Sequence, residues 1–204
     1  MPSTSPRARA AAPMFGALLM TVLSAEPSYE KVEETDGVTV EQRPVAGSKF
    51  VELRFTMLSD KTPKSLCAAA FGDGKFDPQE PDLKARAVVS ESEDERVTYD
   101  EITPPLVSNR DYVVRVRRFW EGAACQLVFE AVPGVGPAPK DGWVRITKLK
   151  GFWRFEPAEA GRTRFTYVVF SDPGGSLPPF LVEGNRRKLG LRWVKMIDAR
   201  GTKP

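Results

Sequence analysis

The chain has 204 residues, 41% of them hydrophobic and 28% charged, with 30 Lys and Arg against 27 Asp and Glu and no histidine. That length predicts a single globular domain burying roughly 70% of the surface its unfolded chain exposes, with no need for metal or disulfide staples. The missing histidine excludes Ser-His-Asp and Cys-His relays, His-ligated zinc or haem and any imidazole base, and two cysteines are too few for a four-cysteine zinc site. No GxxxxGK[ST] loop and no strand-to-helix GxGxxG is present, so no nucleotide cofactor is implied.

Residues 1–13 carry Arg7 and Arg9 and no acid, Met14–Leu23 is apolar, and Ser24-Ala25 precede Glu26. These are the three parts of a secretory signal peptide. The apolar run is shorter than the roughly 20 residues a spanning helix needs. Cleavage near residue 25 and export to the periplasm or the extracellular space are expected, leaving a short segment over 26–37 ahead of a domain over 38–200. Residues 26–139 hold 14 basic and 21 acidic groups, whereas 140–204 hold 14 basic and 6 acidic. The basic third either faces the chain's own acidic half, the simpler expectation, or makes transient contact with an anionic membrane surface. Its basic residues alternate with strand-core positions rather than with exposed aromatics, which argues against a nucleic-acid partner.

From Val38 to Met57 the pattern is β-like, with Val51, Leu53 and Phe55 alternating with Glu52, Arg54 and Thr56. Asp60 or Thr62 can cap a short helix with Pro63 in its first turn and Leu66, Cys67, Ala70 and Phe71 as its apolar face. It stops at Gly72-Asp73-Gly74. The run Asp73 to Asp77 has some likeness to a calcium loop, but Lys75 stands where an oxygen ligand is needed, so a solvated turn and no metal site are expected. Strands follow at about 84–91, 95–102, 111–120, 123–132, 142–156 and 162–171, separated by Gly- and Pro-rich turns, a meander of about six or seven antiparallel strands. Tyr112, Val114 and Val116 lie opposite Val113, Arg115 and Arg117; Cys125, Leu127 and Phe129 oppose Gln126, Val128 and Glu130; Phe165, Tyr167 and Val169 oppose Arg164, Thr166 and Val168. One face is the apolar one. The last element, Leu177–Ala199, opens on Pro178-Pro179 and carries an interrupted stripe of Phe180, Leu181, Val182, Leu189, Trp193, Met196 and Ile197. Such a helix over such a sheet forms either a filled α+β core or a cavity.

Three segments bear on that choice: Ser108-Asn109-Arg110-Asp111-Tyr112; Gly142 to Ile146 continuing through Gly151-Phe152-Trp153-Arg154-Phe155-Glu156-Pro157; and Thr163 through Asp172-Pro173-Gly174-Gly175-Ser176-Leu177-Pro178. In order and spacing they resemble a START domain, most of all the exported bacterial members, over about residues 38–200. The resemblance implies a helix-grip fold, a curved antiparallel sheet wrapped around a long C-terminal helix, with an apolar tunnel for one lipid, sterol or similar hydrophobe. Cavity candidates are then Tyr112, Val114, Val116, Leu127, Phe129, Val144, Ile146, Tyr167 and Val169 from the sheet, with Leu181, Leu189 and Trp193 from the helix; each can equally be plain core. Tyr112 and Tyr167 can offer hydroxyls to a headgroup or simply pack. Asn109, Arg110 and Asp111 are expected to fix a strand start, and Asp172, Pro173, Gly174 and Gly175 to form a hinge into a lid helix. The buried Arg of some sterol-binding relatives, six residues after the motif's Arg, is here Val116, and the Trp many members carry after the first helix is missing, with Phe76 the nearest aromatic.

Cys67 and Cys125 either bridge, as an oxidising compartment allows, or stand as buried thiols. The expected function is non-enzymatic lipid binding and transfer by a monomer, with no cofactor. The alternative is a cyclase or aromatase of the same superfamily, which needs a cavity acid or base.

Overall fold

The structure, a computed structural model, describes residues 27–104 and 107–203, without the side chain of Leu181; the leader expected over 1–25 lies outside them. In chain order the elements are β1 (Glu30–Thr35), β2 (Val38–Pro44), β3 (Val51–Ser59), α1 (Pro63–Phe71), β4 (Leu83–Glu91), β5 (Glu95–Ile102), β6 (Arg110–Glu121), β7 (Ala124–Ala131), β8 (Val144–Arg145), β9 (Lys148–Pro157), β10 (Thr163–Asp172) and α2 (Pro179–Arg200). Nine strands form one antiparallel sheet in the order β1-β2-β3-β10-β9-β7-β6-β5-β4, and two-residue β8 pairs in parallel with β6. The sheet curves around α2, with α1 packed beside it: a helix-grip fold.

The sheet has more strands than the alternation implied. Residues 30–35 join it as β1 through Asp36-Gly37, whose φ angles of 49° and 76° suit the two-residue hairpin turn that Asp-Gly favours. The single strand expected over 142–156 is two, because Val144 and Arg145 align with Arg110 and Asp111 before the chain turns into β9. In α1, Thr62 is the cap, its hydroxyl accepting from Ser65 N at 3.1 Å, while Asp60 pairs with Lys61 and Lys203. Pro63 takes the first turn, where its missing N–H costs nothing.

The core lies between the inner sheet face and the two helices. It holds Leu53, Phe55, Leu127, Phe155, Phe165, Val194 and Ile197, all at 1% exposure or less. Phe155 meets Phe165 edge-on at 4.8 Å, and Trp153 stacks on Tyr167 at 3.6 Å. Helix α2 comes down on β3 at Gly190: a Cβ there would stand 2.1 Å from the Phe55 ring, so only glycine permits the approach. The inward face of α2 includes Leu191 and Val194, outside the stripe read from the sequence, whereas Phe180 in the first turn is 79% exposed. Val113, expected on the wetter face, is buried as well, because the loop after β7 returns over it: Val132 N donates to Val113 O at 2.8 Å and Gly136 packs on its methyls.

Cys67 on α1 and Cys125 on β7 form a disulfide with Cα atoms 6.1 Å apart, fastening the helix to the sheet. Closing a loop of 58 residues removes denatured-state entropy worth about 4 kcal/mol. Reduction, or the double change Cys67→Ala and Cys125→Ala, is expected to lower unfolding free energy by roughly 2–4 kcal/mol in urea titrations. An unchanged midpoint would contradict a formed bridge.

Candidate ligand cavity

Between α2 and the inner face of β5, β6, β9 and β10 lies a cavity of about 280 Å³, near the lower end of the roughly 300–1,000 Å³ usual for small-molecule sites. Of the cavity candidates, Tyr112, Val114, Val116, Phe129, Ile146, Tyr167, Val169, Leu189 and Trp193 line it. Several of these face the interior yet keep accessible surface, among them Val116, Val169, Leu189 and Trp193, because the space beside them is unfilled. Leu127 and Val144 do not line it. Leu127 is fully buried in the core on β7, the strand to which the disulfide fastens α1, and Val144 on β8 packs at Gly174. Leu181 falls outside the described side chains. The aromatic wall is a connected group in which the Tyr167 ring meets Trp153, Phe55 and Phe129.

One end of the cavity is polar. Arg86 on β4 donates through Nε and Nη2 to Asp100 on β5, at 2.8 and 2.7 Å, and through Nη1 to Glu80 at 2.9 Å. Asp100 is 1% exposed, so this pair is desolvated and its hydrogen bonds are what make it tolerable. Burial works against the Arg86 charge, but the bonds to Asp100 outweigh it and raise its pKa. Burial also pushes the Glu80 carboxyl above the ordinary range, with Arg86 only partly offsetting it, and Glu80 Oε2 has no partner among the described residues. Tyr112 stands directly across from Asp100 in the β5–β6 register; burial, then the nearby Asp100 charge, drives its hydroxyl well above its usual pKa, so it stays protonated. None of Glu80, Arg86 and Asp100 stood out in the sequence.

The mouth is identified by exposure. The exposed lining residues are Gly72, Asp73 and Lys75, all in the loop after α1. In the run with some likeness to a calcium loop, Asp73 accepts from Lys75 N at 3.0 Å and Asp77 pairs with Arg200. Buried Arg96 holds the loop's start, donating to the carbonyls of Phe71 and Gly72 and pairing with Glu91. Helix α2 is strapped across the mouth by Arg200–Asp77 and Arg192–Asp82, the latter at 3.0 Å. Further along, Arg187 faces Glu33, Lys195 faces Asp36 and Lys203 faces Asp60, so the basic third does meet the chain's own acidic half.

Within the strand-start motif, Asp111 lies on the opposite face of the sheet from Tyr112. Asp111, fully buried, accepts from Arg145 at 2.7 and 3.0 Å, from Tyr99 Oη at 3.0 Å and from Lys140 N at 3.4 Å. Burial opposes its charge, yet the bonds from Arg145 and Tyr99 hold its carboxyl below the ordinary range. Tyr99, desolvated and bonded to that carboxylate, is pushed up to about 12. Arg110, 2% exposed, donates to the carbonyls of Ser108 and Pro173, and Asn109 accepts from Val144 N through its carbonyl. The segment leading into α2 is thus held: Asp172 Oδ1 accepts from Gly174 N at 3.0 Å, Arg110 holds Pro173, and Gly174 and Gly175 have φ of 71° and 70°.

The START domain family model matches residues 37–196. The chain belongs to the START domain family. It is 30% identical over 184 residues to Pseudomonas aeruginosa protein PA1579, covering 82% of this chain and 89% of that one. The STAR-related lipid transfer protein of Xanthomonas axonopodis (fragment 25–204) superposes with a TM-score of 0.75 at 25% identity, over 84% of this chain and 97% of that one. Human StAR-related lipid transfer protein 5 gives 0.71 at 19% identity, over 85% and 86%. The Zhui aromatase/cyclase of Streptomyces shares the fold at 0.53 and 10% identity, over 72% and 91%.

Two expectations follow from the geometry. Asp111→Asn strands the Arg145 guanidinium, which is 7% exposed, and is expected to cost about 3–5 kcal/mol in denaturant unfolding while leaving uptake by folded protein unchanged; a cost below about 1 kcal/mol would mean the pair does not hold this face. The double change Arg192→Gln and Arg200→Gln removes two exposed straps worth roughly 0.2–1 kcal/mol each. Amide exchange across residues 72–82 should then accelerate with global stability nearly intact, and an unaltered exchange pattern would show that the straps do not close the mouth.

Proposed function

We propose that this START domain binds one lipid-like hydrophobe in the cavity under α2 and carries it without chemical change, as a monomer outside the cytoplasm. The observation that carries the reading is the cavity itself, walled by aliphatic and aromatic side chains beneath a helix pinned to the sheet by a glycine contact. Family membership and the similarity to the STAR-related lipid transfer protein of Xanthomonas axonopodis support it. Export is supported by the leader pattern of residues 1–25 and by the Cys67–Cys125 disulfide, which persists in oxidising compartments. Delivery would involve brief contact with a membrane at the mouth beside residues 72–77.

A second reading, cyclase-like chemistry on a hydrophobic substrate, is favoured by one observation: Glu80 is a cavity carboxyl with a raised pKa. It would show as conversion of the bound molecule that Glu80→Gln abolishes.

The deciding measurement is native and denaturing mass spectrometry of the full chain expressed with export, with organic extraction of what it holds. A stoichiometric, unaltered hydrophobe is expected. Protein that emerges empty and takes up no labelled lipid or sterol would overturn the carrier reading. Val116→Trp, which puts an indole into the cavity, is expected to remove most uptake while folding stays cooperative; uptake equal to the parent chain's would mean that the ligand sits elsewhere.

A further inference from the structure

The outer face of the sheet carries a concavity of its own, a trough of about 550 Å³ lying across β7, β9, β10, β3 and β2. Five neighbouring strands at the usual spacing make it about 20 Å long. Its floor is Val128, Phe152 and Val168, consecutive partners in the β7–β9 and β9–β10 registers, and the same row continues as Arg54 on β3. Val128 and Phe152 are half-buried. Their chain neighbours Leu127 and Trp153 point the other way, so trough and chamber lie back to back across the sheet, and of the trough's lining only Phe129 also lines the chamber.

The charges around this floor are matched except at one point. At the β2–β3 end, Tyr29 donates to Glu52, Arg43 pairs with Glu52 at 2.6 Å, and Arg54, whose guanidinium lies 3.9 Å from the centre of the Tyr29 ring, donates to both oxygens of Glu41. That end is closed on itself. At the β7–β9 end a single carboxylate, Glu130, stands directly across from Lys150, yet it turns toward β6, where Arg117 donates to it at 3.1 Å and Arg115 lies 3.6 Å away. Arg115 also faces Glu95, at 3.7 Å. Lys150, exposed on the trough's rim, is left with no hydrogen bond or ion pair among the described residues, and its partner on the β10 side is the apolar Phe170.

We propose that the trough is a second binding site, for a small amphiphile with one anionic group, its apolar body on Val128, Phe152 and Val168 and its anion on the Lys150 ammonium. The sheet face decides the class. Backbone groups of these central strands are engaged in the ladders, so a peptide laid across them would press its own N–H and C=O groups onto an apolar floor with nothing to bond. An alkyl or aryl body carries no such groups. A bilayer surface is flat on this scale and would bridge the rims without reaching the floor. The anion can be the carboxylate of a free fatty acid or the phosphate of a single-chain lipid; either meets the one cation for which the protein supplies no acid.

The test titrates dodecanoate and dodecyl phosphate, with 1-dodecanol as the neutral comparison, into isotope-labelled protein expressed from the full chain with export, at pH 8, where both anions are ionised. Val116→Trp in this protein fills the chamber, and amide shifts report where each probe sits. Both anions are expected to shift Val128, Lys150, Phe152 and Val168 and to bind about 2- to 5-fold more tightly than dodecanol, the range of an exposed ion pair. Lys150→Gln alters a side chain that nothing in the protein uses, so thermal stability should stay unchanged while the anions fall to the dodecanol level. Thr166→Trp, which lays an indole along the trough, should abolish the shifts for all three. The tighter of the two anions then assigns the source, fatty acid or phosphorylated lipid. Shifts confined to chamber residues, dodecanol binding as well as the anions, or anion binding indifferent to Lys150→Gln would overturn the proposal. So would floor shifts produced by anionic phosphatidylglycerol vesicles and by neither soluble anion. The carrier reading rests on the chamber and is judged separately.

Discussion

The contact between Gly190 and the Phe55 ring sets the geometry on which the rest depends. It allows the axis of α2 to approach β3 more closely than any side chain would permit. The C-terminal end of the helix is fixed as well: Asp198 pairs with Ser59, and Thr202 O accepts from Thr62 N at 3.1 Å, tying the helix to the start of α1. Its N-terminal end rests through Val182 on Phe50 and Phe170. With the helix held at three places, the curved sheet cannot follow it everywhere, and the unfilled remainder is the chamber between Leu189 and Trp193 on one side and Val116 and Val169 on the other.

Charge placement follows the same division of labour. The acidic stretch 26–139 and the basic stretch 140–204 carry complementary charges within one domain, joined by Arg192–Asp82, Lys195–Asp36, Arg200–Asp77 and Lys203–Asp60. Exposed pairs of this kind contribute little stability each. They do, however, engage Arg187, Arg192, Lys195 and Arg200 of α2 with acids of the rest of the domain. The buried pairs do different work. Asp111–Arg145 fixes the outer face, and Arg86–Asp100 closes the polar end of the inner one.

Much of this was legible in the sequence, for reasons specific to the residues involved. Strands β3, β6, β7 and β10 declared themselves by period-two alternation, β4, β5 and β9 as runs between Gly- and Pro-rich turns, and α1 by Asp60 or Thr62 and Pro63 ahead of an apolar turn. The resemblance of Asn109 to Tyr112 and of Asp172 to Pro178 to START segments supplied the architecture that alternation alone could not choose. Strand β1 was missed although Asp36-Gly37 carries a hairpin signal, because Glu30, Glu33 and Glu34 mask any apolar period along an exposed edge. Leu127 and Val144 have the right chemistry for a cavity wall and the wrong surroundings, and no local pattern reveals that α1 packs over one and the Gly174 turn against the other. The disulfide, left open by spacing, depends on that same packing.

The polar end is the part that sequence reading could not reach, and the reason is physical. Arg86 and Asp100 look like ordinary charged positions within the strands expected over 84–91 and 95–102; only the β4–β5 register sets them side by side on the inner face. A single buried carboxylate or guanidinium there would be prohibitively costly, so the two are one feature, and Glu80 is drawn in by the guanidinium's third nitrogen. Once those charges satisfy each other, the groups left to meet a ligand are hydroxyls: tyrosine, threonine and serine on an apolar wall.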